Sequence, residues 1–235
     1  MGRVHEEAAK TAKTLRISID AKATVRVGPF SRRGKSRVEV KACDHDFAPE
    51  ATVTPVGILL VESGELFLYG VTSKVTSDCL ADRVVEWWDS VKDRFTQITQ
   101  LAIDLDNGPE CHSRRTQFLW RMAEFAYRSG LEIALAYYPP YHSKYNPIER
   151  CWGVLENHWN GSLLDTVTAV IETAKTMTWK GHPPTVSLVE TTYPTGVKLT
   201  PQEMKVLETQ VKRHDTLGKW FVTLSFPLLP PCRDP

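Results

Sequence analysis

The fold that we predict for this chain depends most on the stretch Tyr138-Pro-Pro-Tyr-His-Ser-Lys-Tyr-Asn-Pro-Ile-Glu149-Arg-Cys-Trp152. An apolar, strand-like run over residues 131–138 ends in this stretch at two consecutive prolines. A polar and aromatic loop follows. Asn146 is a preferred N-cap residue and Pro147 suits the first position of a helix, so we expect a helix that is capped by Asn146 and has Glu149 at its third position.

The predicted helix has one apolar face, which we expect to be buried. Its members are separated by four, three and four residues: Ile148, Trp152, Leu155 and Trp159. Glu149 lies beside this face, and two interpretations of it are open. It is either a capping-box residue that reaches back to the N-cap amide, or a carboxylate directed at a metal ion. The start of the helix does not decide between them.

The composition is that of an ordinary globular protein. The 235 residues are 42% apolar and 24% charged, and the net charge of +1 neither requires nor excludes a polyanionic partner. No apolar run reaches the length of a membrane span, and the N-terminus lacks the apolar core of a signal peptide. Five scattered cysteines without a Cys-x-x-Cys pair indicate reduced thiols in a cytoplasmic protein, and no structural zinc.

Two predicted strands end in acidic residues. Leu15 to Asp20 alternates apolar and polar residues, and residues 98–106 repeat this pattern and end at Asp106. A helix capped by Ser113 and closed by Gly130 follows, and the apolar run 131–138 is the next strand. The second acid-ended strand, the helix and the run 131–138 form a βαβ unit, whose strands are parallel.

The other predicted elements complete an α/β sheet with an antiparallel start. They are strands at 38–42, 51–61, 65–71 and 186–192, a helix capped by Ser77 that extends to about residue 95, a helix over 163–178 capped by Ser162 or Asp165, and a helix over 200–214 with a Thr200–Glu203 capping box.

Three carboxylates lie near the carboxyl ends of predicted strands. Asp20 and Asp106 each end a strand, and Glu149 begins the helix that follows the second strand of the βαβ unit. Ligands of open α/β sheets collect at the carboxyl ends of the strands, so we expect these side chains to form one cluster. Clustered carboxylates are costly unless cations compensate them, and oxygen ligands suit Mg²⁺ or Mn²⁺. A pair of such ions promotes phosphodiester chemistry.

Four other acidic residues compete for these roles. Asp104 shares a strand face with Asp106 and is the alternative second acid, whereas Asp44 and Asp46 compete with Asp20. No strong strand precedes that pair, so we interpret both as loop residues. Glu156, on the same helix face as Glu149, is a weaker candidate.

At these residues the chain resembles a DDE transposase of the mariner-related bacterial insertion-sequence group, and most of all the ISAzo type. The resemblance covers about residues 15–225. It rests on the segments Ile17-Ser-Ile-Asp20-Ala-Lys, Leu105-Asp106-Asn-Gly-Pro-Glu-Cys-His-Ser113 and, as the most specific of the three, the opening stretch from Tyr138 to Trp152.

The resemblance implies a ribonuclease H-like fold, an α/β fold with a mixed five-stranded sheet flanked by helices. It also implies that Asp20, Asp106 and Glu149 hold two Mg²⁺ or Mn²⁺ ions, which drive strand hydrolysis and then the attack of a 3′-hydroxyl on target DNA. The implied partners are the element ends, the target DNA and a second transposase chain, as a homodimer or paired with a full-length transposase. The implied location is the bacterial cytoplasm, at the nucleoid.

Basic and aromatic residues in two loops are candidates for DNA contacts, although a solvated surface would have the same composition. They are Arg32, Arg33, Lys35, Arg37, Tyr141, His142, Lys144 and Arg150. His112 and His142 are further candidates for positioning a phosphate or a nucleophile.

Family members carry a helix-turn-helix region before the first aspartate, and only 19 residues precede Asp20 here. We therefore expect a truncated chain with four segments: a polar segment at 1–14, the catalytic domain at 15–180, a C-terminal extension at 181–226 and a disordered tail at 227–235. Two alternatives remain. One is a silent transposase remnant that acts as an interaction or inhibitory protein, and the other is a paired-carboxylate glycosidase that needs no metal.

Overall fold

The computed structural model describes residues 13–30, 49, 51–139 and 145–225, which contain nine strands and five α-helices. The strands are β1 (Thr14–Ala21), β2 (Val25–Val27), β3 (Ala51–Leu60), β4 (Leu66–Val71), β5 (Gln100–Leu105), β6 (Glu132–Tyr137), β7 (Thr185–Val189), β8 (Val211–Arg213) and β9 (Phe221–Leu224). The helices are α1 (Ser77–Val91), α2 (Thr116–Ser129), α3 (Glu149–Trp159), α4 (Val167–Lys175) and α5 (Pro201–Gln210).

The chain divides into two compact units. The first comprises Met1–Ile19, Thr76–Asn146 and Pro194–Pro235. In it, β5 pairs in parallel with both β1 and β6, while β9 pairs antiparallel with β6 and β8. The parallel pairing of β5 and β6 across α2 confirms the predicted βαβ unit. Gly130 ends α2 in the left-handed conformation, with φ of 72°, as its position in the sequence predicted.

An ion-pair network joins α1 and α2 in the first unit. The Arg121 guanidinium on α2 lies 2.8 Å from the Asp78 carboxylate and 2.6 Å from that of Asp82, both on α1. A third carboxylate, that of Glu124, lies 3.0 Å away on the same helix. One planar cation with several donors thus connects three carboxylates, which fixes how α2 packs along α1.

The second unit comprises Asp20–Val75 and Pro147–Tyr193. In it, β3 pairs antiparallel with β2 and β4, and β4 pairs in parallel with β7. The predicted apolar face of α3 is buried in a core with β2, β3, β4 and α4, which confirms that interpretation. Trp152 and Trp159 are 6% and 1% exposed there.

Several sequence predictions need correction. The resemblance implied a five-stranded sheet, whereas the described part of the chain has nine strands. Strand β7 matches the strand predicted at 186–192, and β2, β8 and β9 were not predicted. The cap of α1 is Thr76 rather than Ser77, and that of α4 is Thr166. Helix α2 begins at Thr116 without a side-chain cap, since Ser113 belongs to the preceding loop. The Thr200–Glu203 capping box of α5 is confirmed.

Three cysteines lie in the described residues, and all three are buried free thiols: Cys79, Cys111 and Cys151. This agrees with the prediction of reduced thiols for that part of the chain. Burial raises the pKa of the Cys79 thiol to about 11 and that of the Cys151 thiol to about 12. Both side chains are therefore neutral packing groups at physiological pH.

No helix among the described residues is both long enough and apolar enough to cross a membrane. The predicted strand at 38–42 lies outside the described residues.

Candidate active site

Asp20 lies near the carboxyl end of β1, half-buried. The residue before it, Ile19, is the last position of β1 that pairs with β5, opposite Leu105. The indole Nε1 of Trp152 on α3 donates a hydrogen bond of 2.8 Å to Asp20 Oδ2. One oxygen of this carboxylate is therefore held by a side chain 132 residues further along the chain.

Asp106 is the first residue after β5, directly following Leu105. Its Oδ1 accepts a hydrogen bond of 3.2 Å from the Gly108 amide, and the Cys111 thiol donates to the same oxygen at 3.3 Å. An Asp that bonds an amide two residues on forms a local turn, so the loop after the strand fixes this carboxylate. Both predicted aspartates thus stand one residue beyond a paired strand position.

Glu149 is the first residue of α3. The N-cap of this helix is Ile148, whose side chain makes no capping hydrogen bond, and Asn146 lies before it. The prediction that Asn146 caps the helix and that Glu149 occupies the third position is therefore wrong. A capping box at this helix start is excluded for the same reason, because an isoleucine side chain has no acceptor.

The Asn146 side chain has a tertiary role instead. It is buried, 1% exposed, and its Oδ1 accepts a hydrogen bond from the Ser18 hydroxyl. Its Nδ2 donates to the Ile19 carbonyl at 3.4 Å. Asn146 is thereby bonded to β1 within the first unit. Sequence reasoning treated Asn146 as a local cap, and no local signal distinguishes the two roles.

Asp104, the alternative second acid, is a structural residue. It is 1% exposed, and its Oδ2 accepts hydrogen bonds from Nε and Nη2 of Arg16 at 3.0 and 2.6 Å. The two residues lie on neighbouring parallel strands. Burial of a charge next to a guanidinium is the usual way in which proteins accommodate an internal carboxylate. Glu156, the weaker metal candidate, forms a 2.7 Å ion pair with Lys22.

The structure describes only one of the predicted DNA-contacting residues. Arg150 is exposed on α3. The others lie outside the described residues, as do Asp44 and Asp46: Arg32, Arg33, Lys35, Arg37, Tyr141, His142 and Lys144. The pKa of His112 is lowered by burial and by the nearby Arg115 and Arg114, which favours the neutral imidazole.

Asp106 belongs to the first unit, and Asp20 and Glu149 belong to the second. Within the described ranges, no group of three or more His, Cys, Asp or Glu side chains is arranged to hold a metal ion. The metal triad therefore stays a prediction. Its donor set, three carboxylates without nitrogen or sulfur, is the type that Mg²⁺ and Mn²⁺ prefer.

Comparison with solved structures identifies the class of fold as ribonuclease H-like, a mixed sheet with flanking helices. The Mos1 transposase paired-end complex with left transposon end matches with a TM-score of 0.51 at 10% identity, over 72% of this chain and 49% of that one. The Mos1 mariner paired-end complex with Mn matches with a TM-score of 0.52 at 11% identity, over 73% of this chain and 50% of that one. The chain thus spans about half the length of these transposases.

Comparison with family descriptions gives the particular family. The Rhodopirellula transposase DDE domain matches residues 3–226, and the chain belongs to this family. No curated protein matches the sequence. The chain is thus a DDE transposase domain, as the resemblance in its sequence predicted, and DDE transposases use divalent metal ions.

Proposed function

We propose that this chain catalyses metal-dependent DNA cleavage and strand transfer, with Asp20, Asp106 and Glu149 as the residues that hold two divalent ions. The observation that carries the proposal is the family match over residues 3–226. The strand register supports it: Asp20 and Asp106 each follow the paired positions Ile19 and Leu105 of adjacent parallel strands. The position of Glu149 also supports it, because this residue begins α3, as expected for the third acid of the predicted arrangement.

Two ions bound by these carboxylates would activate the attacking oxygen and stabilise the leaving oxygen of a phosphodiester. The chain's own part is to orient the ligands. Trp152 holds one oxygen of Asp20, and the turn after β5 holds one oxygen of Asp106. Hydrolysis of a strand leaves a 3′-hydroxyl, whose oxygen then attacks a phosphorus of target DNA and displaces another 3′-oxygen. The number of phosphodiester bonds is conserved in this second step.

The proposed partners are the ends of the element and the target DNA. The two Mos1 structures are described as paired-end complexes, one with a left transposon end and one with Mn. By analogy, we propose that Mn²⁺ or Mg²⁺ supports the reaction here and that two chains act together, either as a homodimer or with a full-length transposase.

The test is nicking of supercoiled plasmid by the purified chain with Mn²⁺ or Mg²⁺. We expect nicking that chelation abolishes and that falls at least about 100-fold in Asp20→Asn, Asp106→Asn and Glu149→Gln, since each change removes a ligand charge. Matched controls are Asp93→Asn and Glu172→Gln, which alter exposed carboxylates elsewhere. Both should nick like the original chain.

Two results would contradict the proposal. Nicking that persists in all three variants would place the chemistry on other residues. A folded chain that neither nicks DNA nor binds Mn²⁺ would favour a silent remnant, and binding to a full-length transposase would then be the next measurement.

A further inference from the structure

The contact between Trp152 and Asp20 assigns a role to a residue outside the proposed triad. The indole is 6% exposed, and its N–H lies 2.8 Å from Asp20 Oδ2. We propose that Trp152 is a positioning residue, which holds the Asp20 carboxylate in the orientation that a metal ion requires. This inference rests on the proposed function, because it concerns one of the three proposed ligands.

Packing against β3 fixes the indole itself. A Cβ atom at Gly57 would lie 2.6 Å from Cη2 of Trp152 and 2.7 Å from Cδ1 of Ile148. Real Cβ atoms do not approach that closely, so the backbone at Gly57 and the indole are in direct contact. The φ of Gly57 is not in the left-handed region, so backbone conformation does not require glycine here. Glycine is required because a side chain would have no space. The β3 backbone therefore sets the position from which Nε1 reaches Asp20.

A second contact holds the same two segments together. One helical turn beyond Trp152, Glu156 forms a 2.7 Å ion pair with Lys22, two residues beyond Asp20. Glu149 lies three residues before Trp152 and therefore on the same side of α3. One helix thus carries a proposed metal ligand and the donor that orients another. A displacement of α3 would disturb both carboxylates together.

The chemistry of metal sites supports this role. Carboxylate ligands usually accept a hydrogen bond from a neighbouring group, and removal of that neighbour typically weakens metal affinity about 10- to 100-fold. A phenylalanine at position 152 keeps an aromatic ring but lacks both the N–H and the indole atoms Cη2 and Cζ2 that face Gly57. A control tryptophan that loses the same atoms but makes no such hydrogen bond therefore separates the hydrogen bond from the packing.

The experiment measures Mn²⁺ binding to the full chain by electron paramagnetic resonance, without DNA. We expect Trp152→Phe to raise the Kd for Mn²⁺ about tenfold, with the Tm lowered no more than in the control. The control is Trp87→Phe, since Trp87 is fully buried and its indole nitrogen has no hydrogen-bond acceptor among the described residues. It loses the same atoms and should leave the Kd unchanged.

A second readout does not depend on metal. In a chain with ¹⁵N-labelled tryptophan, the indole resonance that Trp152→Phe removes should shift in Asp20→Asn, because the acceptor changes from a carboxylate to an amide. Gly57→Ala should shift the same resonance and weaken Mn²⁺ binding by displacing the ring.

The outcomes separate the two proposals. Mn²⁺ binding that Asp20→Asn abolishes and Trp152→Phe leaves unchanged overturns the positioning role alone. An indole resonance unaffected by Asp20→Asn overturns the contact itself. If the original chain binds no Mn²⁺, the proposed function fails and the positioning role fails with it, even where the resonance shift shows the contact.

Discussion

Individual acidic residues of this chain have different roles that depend on their partners. Asp104 and Asp106 are two positions apart, yet the first is buried against Arg16 and the second is half-buried in a turn with a glycine amide and a thiol. Tyr138 lies near Asp104, and the pKa of its hydroxyl is raised to about 12 by burial and secondarily by the charge of Asp104. An internal charge without its counter-ion is strongly destabilising, so we expect Asp104 to stabilise the fold through its ion pair with Arg16.

We therefore expect Asp104→Asn to lower the free energy of unfolding by about 3 kcal/mol, because Arg16 loses its counter-ion. Urea denaturation measures this change, with Asp93→Asn as a control that should remain within about 0.5 kcal/mol. The folded fraction should still bind Mn²⁺ as the original chain does. A stable Asp104→Asn protein that has lost Mn²⁺ binding would make Asp104, and not Asp106, the second acid.

At the scale of elements, long-range side-chain contacts determine where helices begin and how strands end. The segment before α3 is held by Asn146, which bonds Ser18 and the Ile19 carbonyl on β1. The start of α3 has no side-chain cap of its own. These two hydrogen bonds are made with Ser18 and Ile19, the last two residues of β1 in the first unit.

Asn146→Ala should reduce the free energy of unfolding by about 1–3 kcal/mol, because a buried residue loses two hydrogen bonds with β1. Thermal or urea denaturation checks the value. Asn160→Ala is the matched control, since that side chain is exposed after the end of α3. Equal stability of the two variants would show that the Asn146 contacts contribute little.

At the scale of the whole molecule, the C-terminal part of the chain completes both units. In the second unit, β7 pairs with all but the first residue of β4. In the first unit, β9 pairs with β6. Strand β4 is buried along its whole length. Removal of these partners would leave apolar strands with unpaired edges, which promote aggregation.

A chain that ends at residue 180 should therefore be insoluble or lack cooperative unfolding, although it contains all three proposed catalytic acids. Size-exclusion chromatography and circular dichroism provide the measurement, with a chain that ends at residue 225 as the control. Monomeric, cooperatively folded protein from the shorter chain would show that residues 181–225 form a separable extension.

The sequence alone determined the acid-ended strands, the parallel βαβ unit, the buried face of α3 and the family, because each depends on local periodicity or on a contiguous motif. Tertiary structure decided that Asp104 pairs with Arg16, that Asn146 binds β1 and that Trp152 donates a hydrogen bond to Asp20. It also decided that β8 and β9 join a sheet. The physical reason is separation along the chain. These side-chain partners lie 88, 128 and 132 residues apart, and no local pattern specifies which distant polar atom a buried donor reaches.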